Sequence, residues 1–523
     1  MKRTHRIAPW IYTAALTGSA VISTGMPARA QQPPETAEAT PTVPPSSPTA
    51  ASQAPAAPLP PALEPVPVSE AAAPAPTETT VNAEGVAALD LPEVTAAAVA
   101  ATPPPLAEHA TPETGNSVTP LAVSGSFFTR YELRSGYAAQ GLFHPRLHRE
   151  GDNFVYRARL GVTTHPVDLG DGQTISATFI PQAHGVHATQ GEPTTINDQY
   201  DLRVYEAFIR WQGQRVTLDT GRFEMNYGDG LVIGNSDWHE AGRAFQGARL
   251  HYVSPKKYWV DLFATLLREG RPATAAIFDG DVLFYGAYAG LGGLFSEKLD
   301  WDFYALLQSA NQQQVDTSGL ANPAPTFETL EGATELTLGT RVKHAIGRFD
   351  YRIEGGIQLG DAQTVVGAPA VARFAYQADA EFGLAPAQGF RLALGGLVAS
   401  GDGDDSDDTS NAWNELYPTG HKFLGLSDVF VGRSNVLSGN ASASYKASER
   451  LILKLDAHLL SRMEAEAAGE AFPGTEIDAQ IISPLGRGAV LRGLYGAFLP
   501  NADQWPTEDS IHYVELQFGY DFK

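Results

Sequence analysis

From Leu121 to Lys523 apolar and polar side chains alternate in about eighteen stretches of roughly ten residues each. This period of two is what a β-strand imposes, because successive side chains point to opposite faces. In the last stretch Val514, Leu516, Phe518, Tyr520 and Phe522 share one face, and Tyr513, Glu515, Gln517, Gly519 and Asp521 share the other. Likewise Phe127, Thr129, Tyr131 and Leu133 oppose Arg130, Glu132 and Arg134, and Leu451, Leu453 and Leu455 oppose Lys454, Asp456 and His458. A soluble sandwich alternates too, so the number and spacing of the stretches decide. They are separated by short turns such as Ala447-Ser448-Glu449 in alternation with long polar loops, the pattern of a transmembrane barrel. In hydrocarbon every backbone polar group needs an internal partner, so a sheet spans only if it closes on itself. The expectation is an all-β fold over residues 121–523: a closed antiparallel transmembrane β-barrel of about eighteen strands.

The first thirty residues read as a secretory signal peptide, with Lys2, Arg3 and Arg6 ahead of a mildly apolar stretch and the small-x-small site Ala28-Arg29-Ala30. Pro9, Thr13, Thr17 and Gly18 leave no run long enough for a spanning helix, and none follows later in the chain. Residues 31–120 are rich in Pro, Ala, Thr and Glu and contain no Lys or Arg. Such a composition buries too little apolar surface to offset its ordering entropy, so this segment is expected to be a disordered periplasmic linker. It reads equally as a tether that meets a periplasmic partner and as a spacer. The absence of Cys removes disulfides and thiolate chemistry from an exported chain. With 59 acidic against 36 basic residues the formal charge is −23, which argues against nucleic acid as a partner. Outer-membrane lipid is the partner that the alternation implies, and no cofactor is expected.

Ordered pieces of the chain resemble the alginate export family of outer-membrane barrels. They include Phe128-Thr129-Arg130-Tyr131-Glu132-Leu133-Arg134, Tyr156-Arg157-Ala158-Arg159-Leu160, Thr220-Gly221-Arg222-Phe223-Glu224 and Tyr227-Gly228-Asp229-Gly230. Asp237-Trp238, Gly242-Arg243-Ala244-Phe245, Gly247-Ala248-Arg249-Leu250, Tyr417-Pro418-Thr419-Gly420-His421, Gly474-Thr475-Glu476-Ile477-Asp478 and Gly496-Ala497-Phe498-Leu499-Pro500 continue the series. Phe223 and Gln246 stand where the family often carries Gln and Asp. The resemblance implies an eighteen-stranded barrel in the bacterial outer membrane. It further implies export of an anionic polysaccharide through an Arg-rich lumen, helped by a periplasmic partner.

The alternation independently carries cations inward, because an Arg facing lipid at mid-membrane costs about 2–4 kcal/mol. The candidate solute pathway is Arg130, Arg134, Arg157, Arg159, Arg210, Arg222, Arg243, Arg249 and Arg352, with Glu132, Glu224 and Asp229 among them. Two readings follow. The guanidinium groups favour passing carboxylates, or they pair with neighbouring acids and brace the wall. The run Gly401–Asp408 loosely resembles a calcium loop, with Asp402, Asp404 and Asp405 as candidate ligands, but Asp407 and Trp413 stand where such a loop needs Gly and Glu. No nucleophile motif is present, so no catalytic residue is assigned. The expected function is passive export or diffusion of an anionic polysaccharide or similar acidic solute. A general diffusion porin for small solutes and a barrel lipase or protease are the alternatives.

Overall fold

The computed structural model describes residues 120–137, 151–188, 199–269, 281–296, 298–311, 313–316, 327–330, 332–363, 369–404, 407–430, 432–464, 473–501 and 509–522. The expected signal peptide and almost all of the expected linker lie outside them.

Eighteen strands form the wall. In chain order they are β1 (Leu121–Ser135), β2 (Gly151–Thr164), β3 (Gln173–Ala188), β4 (Gln199–Gln212), β5 (Val216–Phe223) and β6 (Phe245–Val253). Next come β7 (Trp259–Arg268), β8 (Val282–Gly290), β9 (Leu299–Ala310), β10 (Ala333–Ile346), β11 (Phe349–Ala362) and β12 (Val371–Ala387). The series ends with β13 (Phe390–Ala399), β14 (Val436–Ser448), β15 (Leu451–Ser461), β16 (Gly474–Gly486), β17 (Ala489–Pro500) and β18 (Ile511–Phe522). Each pairs antiparallel with the next, and β18 pairs with β1 from Gly125↔Phe522 to Ser135↔His512, so the sheet has no free edge. No described helix is long and apolar enough to cross a membrane.

The register bears out the alternation. Leu516, Tyr520, Phe522, Phe127, Tyr131 and Leu160 are exposed on the outside, whereas Tyr513, Glu515, Arg130, Glu132, Arg157 and Arg159 are buried inside. An exposed apolar exterior around a buried charged interior inverts a soluble core, and lipid is the surrounding that makes it stable. One rim carries the short connections. Arg487 and Gly488, both at positive φ, form a two-residue turn between β16 and β17, where that sign of φ matches the twist of the paired strands. The chain enters β1 at the same rim, where the His165 amide donates to the Pro120 carbonyl.

An eighteen-stranded cylinder is too wide for its wall side chains to fill. Two long connections, the β5–β6 loop (224–244) and the β13–β14 loop (400–435), fold inward and supply the missing core. Met225, Leu231, Val232, Ile233, Leu424 and Val429 are buried there against Phe245, Phe284, Tyr288 and Phe498 of the wall. The apolar interior of this barrel is therefore shared between wall strands and inserted loops.

Candidate functional site: the loop constriction and its vestibule

The two inward loops are joined by backbone hydrogen bonds. Gly234 N donates to Tyr417 O (2.8 Å), Tyr417 N to Val232 O (3.0 Å) and Thr419 N to Gly230 O (2.8 Å), with Ile233 and Tyr417 in a parallel bridge. A Cβ at Gly234 would stand 2.1 Å from Thr419 Oγ1 and 2.6 Å from Thr419 N, so only glycine permits the junction. Arg243 sits beside it and donates to Pro418 O (2.6 Å) and Gly234 O (3.2 Å), joining one loop to the other.

Wall cations then fix the loops. Asp237 bridges Arg157 (2.8 Å) and Arg159 (3.1 Å), and Arg157 also donates to the Asp237 carbonyl at 2.9 Å. Arg130 donates to Glu132 (2.6 Å) and to Trp238 O (2.8 Å), with its guanidinium 4.1 Å from the Trp238 ring centre. Trp238 Nε1 donates to Glu515 at 3.1 Å, and its ring stacks on His421 at 3.8 Å. On the β13–β14 loop the amides of Leu426 and Ser427 each donate to Glu476 at 2.7 Å. Asn414 pairs with Gln358 through a reciprocal pair of hydrogen bonds (2.7 and 2.8 Å). Burying this much charge is tolerable only because nearly every group has a partner.

Eleven of the twelve residues expected to line the pathway lie inside the barrel, and each has a hydrogen-bond or ion-pair partner there. Arg210 donates to Asp219 twice (2.6 and 2.9 Å), and Arg249 donates to the same carboxylate at 2.8 Å. Arg134 donates to Glu132 at 3.2 Å. Glu224 accepts from Tyr205 (2.6 Å) and Asn235 (2.9 Å). Arg352 pairs with Asp379, and Asp229 with Arg341 at 2.7 Å. Arg222 is the exception. It stands opposite Ala207 and Gln246 on the outward face, with its Nε donating to Val204 O at 3.1 Å. The parity of β5 sends Asp219 and Phe223 inward, so their neighbour must point out. Of the weak metal candidates, Asp405 lies outside the described residues; among the described residues no group of three or more His, Asp or Glu is placed to hold a metal.

Below the constriction, on the side of the short turns, a vestibule of about 260 Å³ remains. Asp229, Lys422 and Phe423 of the loops form its roof, Arg352 and Glu381 stand on its wall, and it extends to Gly488 and Asp521 at the turn rim. Asp229 sits at the tip of a tight turn closed by Gly230 N donating to Tyr227 O (2.9 Å), with glycines at positive φ on both sides. Burial opposes ionisation of this carboxyl, but Arg341, Lys422, Arg352 and Lys343 outweigh it and hold the pKa down at about 2. Burial pushes the Lys422 ammonium down to about 8, against the pull of Asp229. Lys422 donates to the Asp229 carbonyl at 2.7 Å.

Asp237, Trp238, His421 and Lys422 were given no role by sequence reasoning. Their signal was present in the family-like pieces and in Leu231-Val232-Ile233, three consecutive apolar residues in a connection that reads as polar.

A closed barrel with a lipid-facing exterior and a lumen narrowed by two inserted loops defines an outer-membrane channel. Crystal structures with this fold include Pseudomonas aeruginosa OccK11 (TM-score 0.51, 12% identity, covering 77% of this chain and 96% of that one). P. aeruginosa OccK2 in complex with glucuronate gives 0.51 at 11% identity, over 77% and 98% of the two chains. P. aeruginosa OpdK with vanillate gives 0.50 at 13% identity, over 76% and 98%. At such identities the likeness is one of fold. Residues 172–475 match the alginate export family model, a span that includes both inward loops. The chain belongs to the alginate export family and resides in the bacterial outer membrane. No curated protein matches it.

Proposed function

We propose that this channel passes an acidic, hydroxyl-rich solute, a uronate-containing saccharide, passively through the barrel past the two loops. The observation that carries the reading is the composition of the vestibule, where Arg352 and Lys422 stand beside Asp229, Glu381 and the aromatic face of Phe423. Charged donors select carboxylates, interleaved acceptors take hydroxyl groups, and an aromatic face packs the apolar side of a sugar ring. The glucuronate seen with OccK2 and the family's link to alginate export fit the same class of solute.

The free volume favours a second reading for the state described. At about 260 Å³ the vestibule lies at the low edge of ligand sites, which span roughly 300–1,000 Å³, so it suits one small solute at a time. A polymer requires the loops to withdraw. Vesicles containing the full-length protein, loaded with uronate oligosaccharides of increasing length, separate the two. Export of a polymer predicts release that continues beyond the disaccharide, whereas a small-solute porin predicts release that ends there. Equal release of neutral oligosaccharides of the same length would remove the acidic preference.

A further inference from the structure

The charged and amide side chains bordering the vestibule divide into those the protein already uses and those it leaves open. Arg157 is held by Asp237 at 2.8 Å, Lys422 by the Asp229 carbonyl at 2.7 Å, and Arg352 and Arg492 by Asp379 and Glu515. Asp478 accepts from the Leu426 amide at 3.2 Å. Four others stand apart. Asn440 of β14, Lys454 and Asp456 of β15 and Gln480 of β16 line the vestibule, and none of their side chains forms a hydrogen bond to another described residue. Lys454 Nζ and Asp456 Oδ2 are 3.9 Å apart, an ion pair but too long for a hydrogen bond.

The sheet makes these four one patch. Lys454 stands directly opposite Gln480; Asp456 is the next inward residue on the same strand, and Asn440 stands opposite His458, the one after it. The inward positions beside them are small, with Ser442 and Ser444 opposite Asp456 and Lys454. Gly395 of β13 lies under Asn440, where a Cβ would come within 2.5 Å of Asn440 Oδ1. Their hydrogen-bonding capacity is therefore turned to whatever fills the vestibule. One ammonium, one carboxylate and two amides offer donors and acceptors side by side with no net charge. A carboxylate drawn to Lys454 meets Asp456 beside it and Asp478 directly opposite Asp456. A hydroxyl group donates and accepts at once and meets no such repulsion.

We propose that Asn440, Lys454, Asp456 and Gln480 form a subsite for the hydroxyl groups of a sugar ring, Lys454 donating to one hydroxyl and Asp456 accepting from its neighbour. This rests on the saccharide reading above and adds that the β14–β16 wall holds the uncharged part of the solute, apart from Arg352 and Lys422. Neutral and acidic sugars both fit it, and the preference for the acid comes from those two cations.

The test is block of ion current through the full-length protein in planar bilayers at neutral pH. The probes are D-glucose and cyclohexanecarboxylate, an acid on a six-membered ring without hydroxyl groups. Losing a hydrogen bond to a charged partner weakens binding by on the order of tenfold, so Asp456→Ala and Lys454→Met should each raise the blocking concentration of glucose by about that factor. Charge alone would leave glucose unchanged and move cyclohexanecarboxylate in opposite directions in the two variants. Glucose block equal to wild type in either variant overturns the proposal, as does a Lys454→Met variant that weakens cyclohexanecarboxylate more than glucose. Should both variants fail to assemble, Asn440→Ala decides: weaker glucose block supports the subsite, and wild-type block overturns it. The two ideas fail separately. Uronate release from vesicles with glucose block unchanged in both variants sinks the subsite only; weaker glucose block in both with no uronate release by wild type sinks the transport reading only.

Discussion

Two aspartates of one loop meet the wall differently. Asp237 lies between Arg157 and Arg159, and neither guanidinium is left for a solute: Arg157 also donates to the carbonyls of Asp237 and His239, and Arg159 to Gln182 at 2.6 Å. Asp229 lies among Arg341, Lys343, Arg352 and Lys422 at the border of the vestibule, where Asp379 and Glu381 also stand. A count of inward Arg residues therefore does not report how positive a lumen is. What matters is whether each cation is already used by a carboxylate or a loop carbonyl, and on the β1–β2 side almost all are. There the wall-bracing reading describes the residues; on the β10–β12 side the solute-facing reading has its strongest footing.

The largest expected effect comes from breaking the braced side. Asp237→Ala leaves two buried guanidinium groups uncompensated and frees the loop, a cost of about 3–5 kcal/mol. Denaturant titration should show the loss, and single-channel current should rise as the loop leaves the lumen. A stable variant with wild-type current would mean that Asp237 is not the anchor.

Next in size is the contrast between the two faces of β18. Phe518→Arg places charge in hydrocarbon and should cost about 2–4 kcal/mol of assembly, whereas Gln517→Arg adds a cation beside Arg130 within the braced network and should be milder. Heat-modifiable migration on gels separates them, and equal behaviour would mean a register error of one residue.

The open side should give less. Asp229→Asn is expected to cost less stability than Asp237→Ala, because Arg341 and Arg352 retain Asp302 and Asp379. A loss as large as that of Asp237→Ala would erase the distinction between the two sides.

Smallest is a pH effect. With the Lys422 ammonium held near 8, raising pH from 7 to 9 removes its charge, so block by glucuronate should weaken over that interval. Lys422→Arg should flatten the profile, since guanidinium keeps its proton throughout. A wild-type profile that is flat from pH 7 to 9 would take Lys422 out of the site.

The wall was legible because lipid and lumen write opposite chemistry onto alternate residues. Val514 to Phe522 and Phe127 to Arg134 give the face of each residue from that pattern alone, and the closing pair of strands has the same parity. Arg222 was misassigned, since the parity set by Asp219 and Phe223 points it outward. The constriction was hidden for a different reason. Loops carry no period, so nothing in the spacing tells that residues 224–244 and 400–435 turn inward and meet at Gly234 and Tyr417. The partners of Asp229 come from β10, β11 and a loop nearly two hundred residues away, a grouping that only closure of the barrel creates.

On the proposed function local cations, rather than the acidic total, set what passes. The reversal potential of the full-length protein in planar bilayers under a KCl gradient addresses it directly. A preference for anions is expected, and it should fall when Arg352 and Lys422 are both changed to Gln. It should persist when Asp404 and Asp408, which do not line the vestibule, are changed to Asn. A wild-type channel that prefers cations, or one whose selectivity follows Asp404 and Asp408, would contradict it.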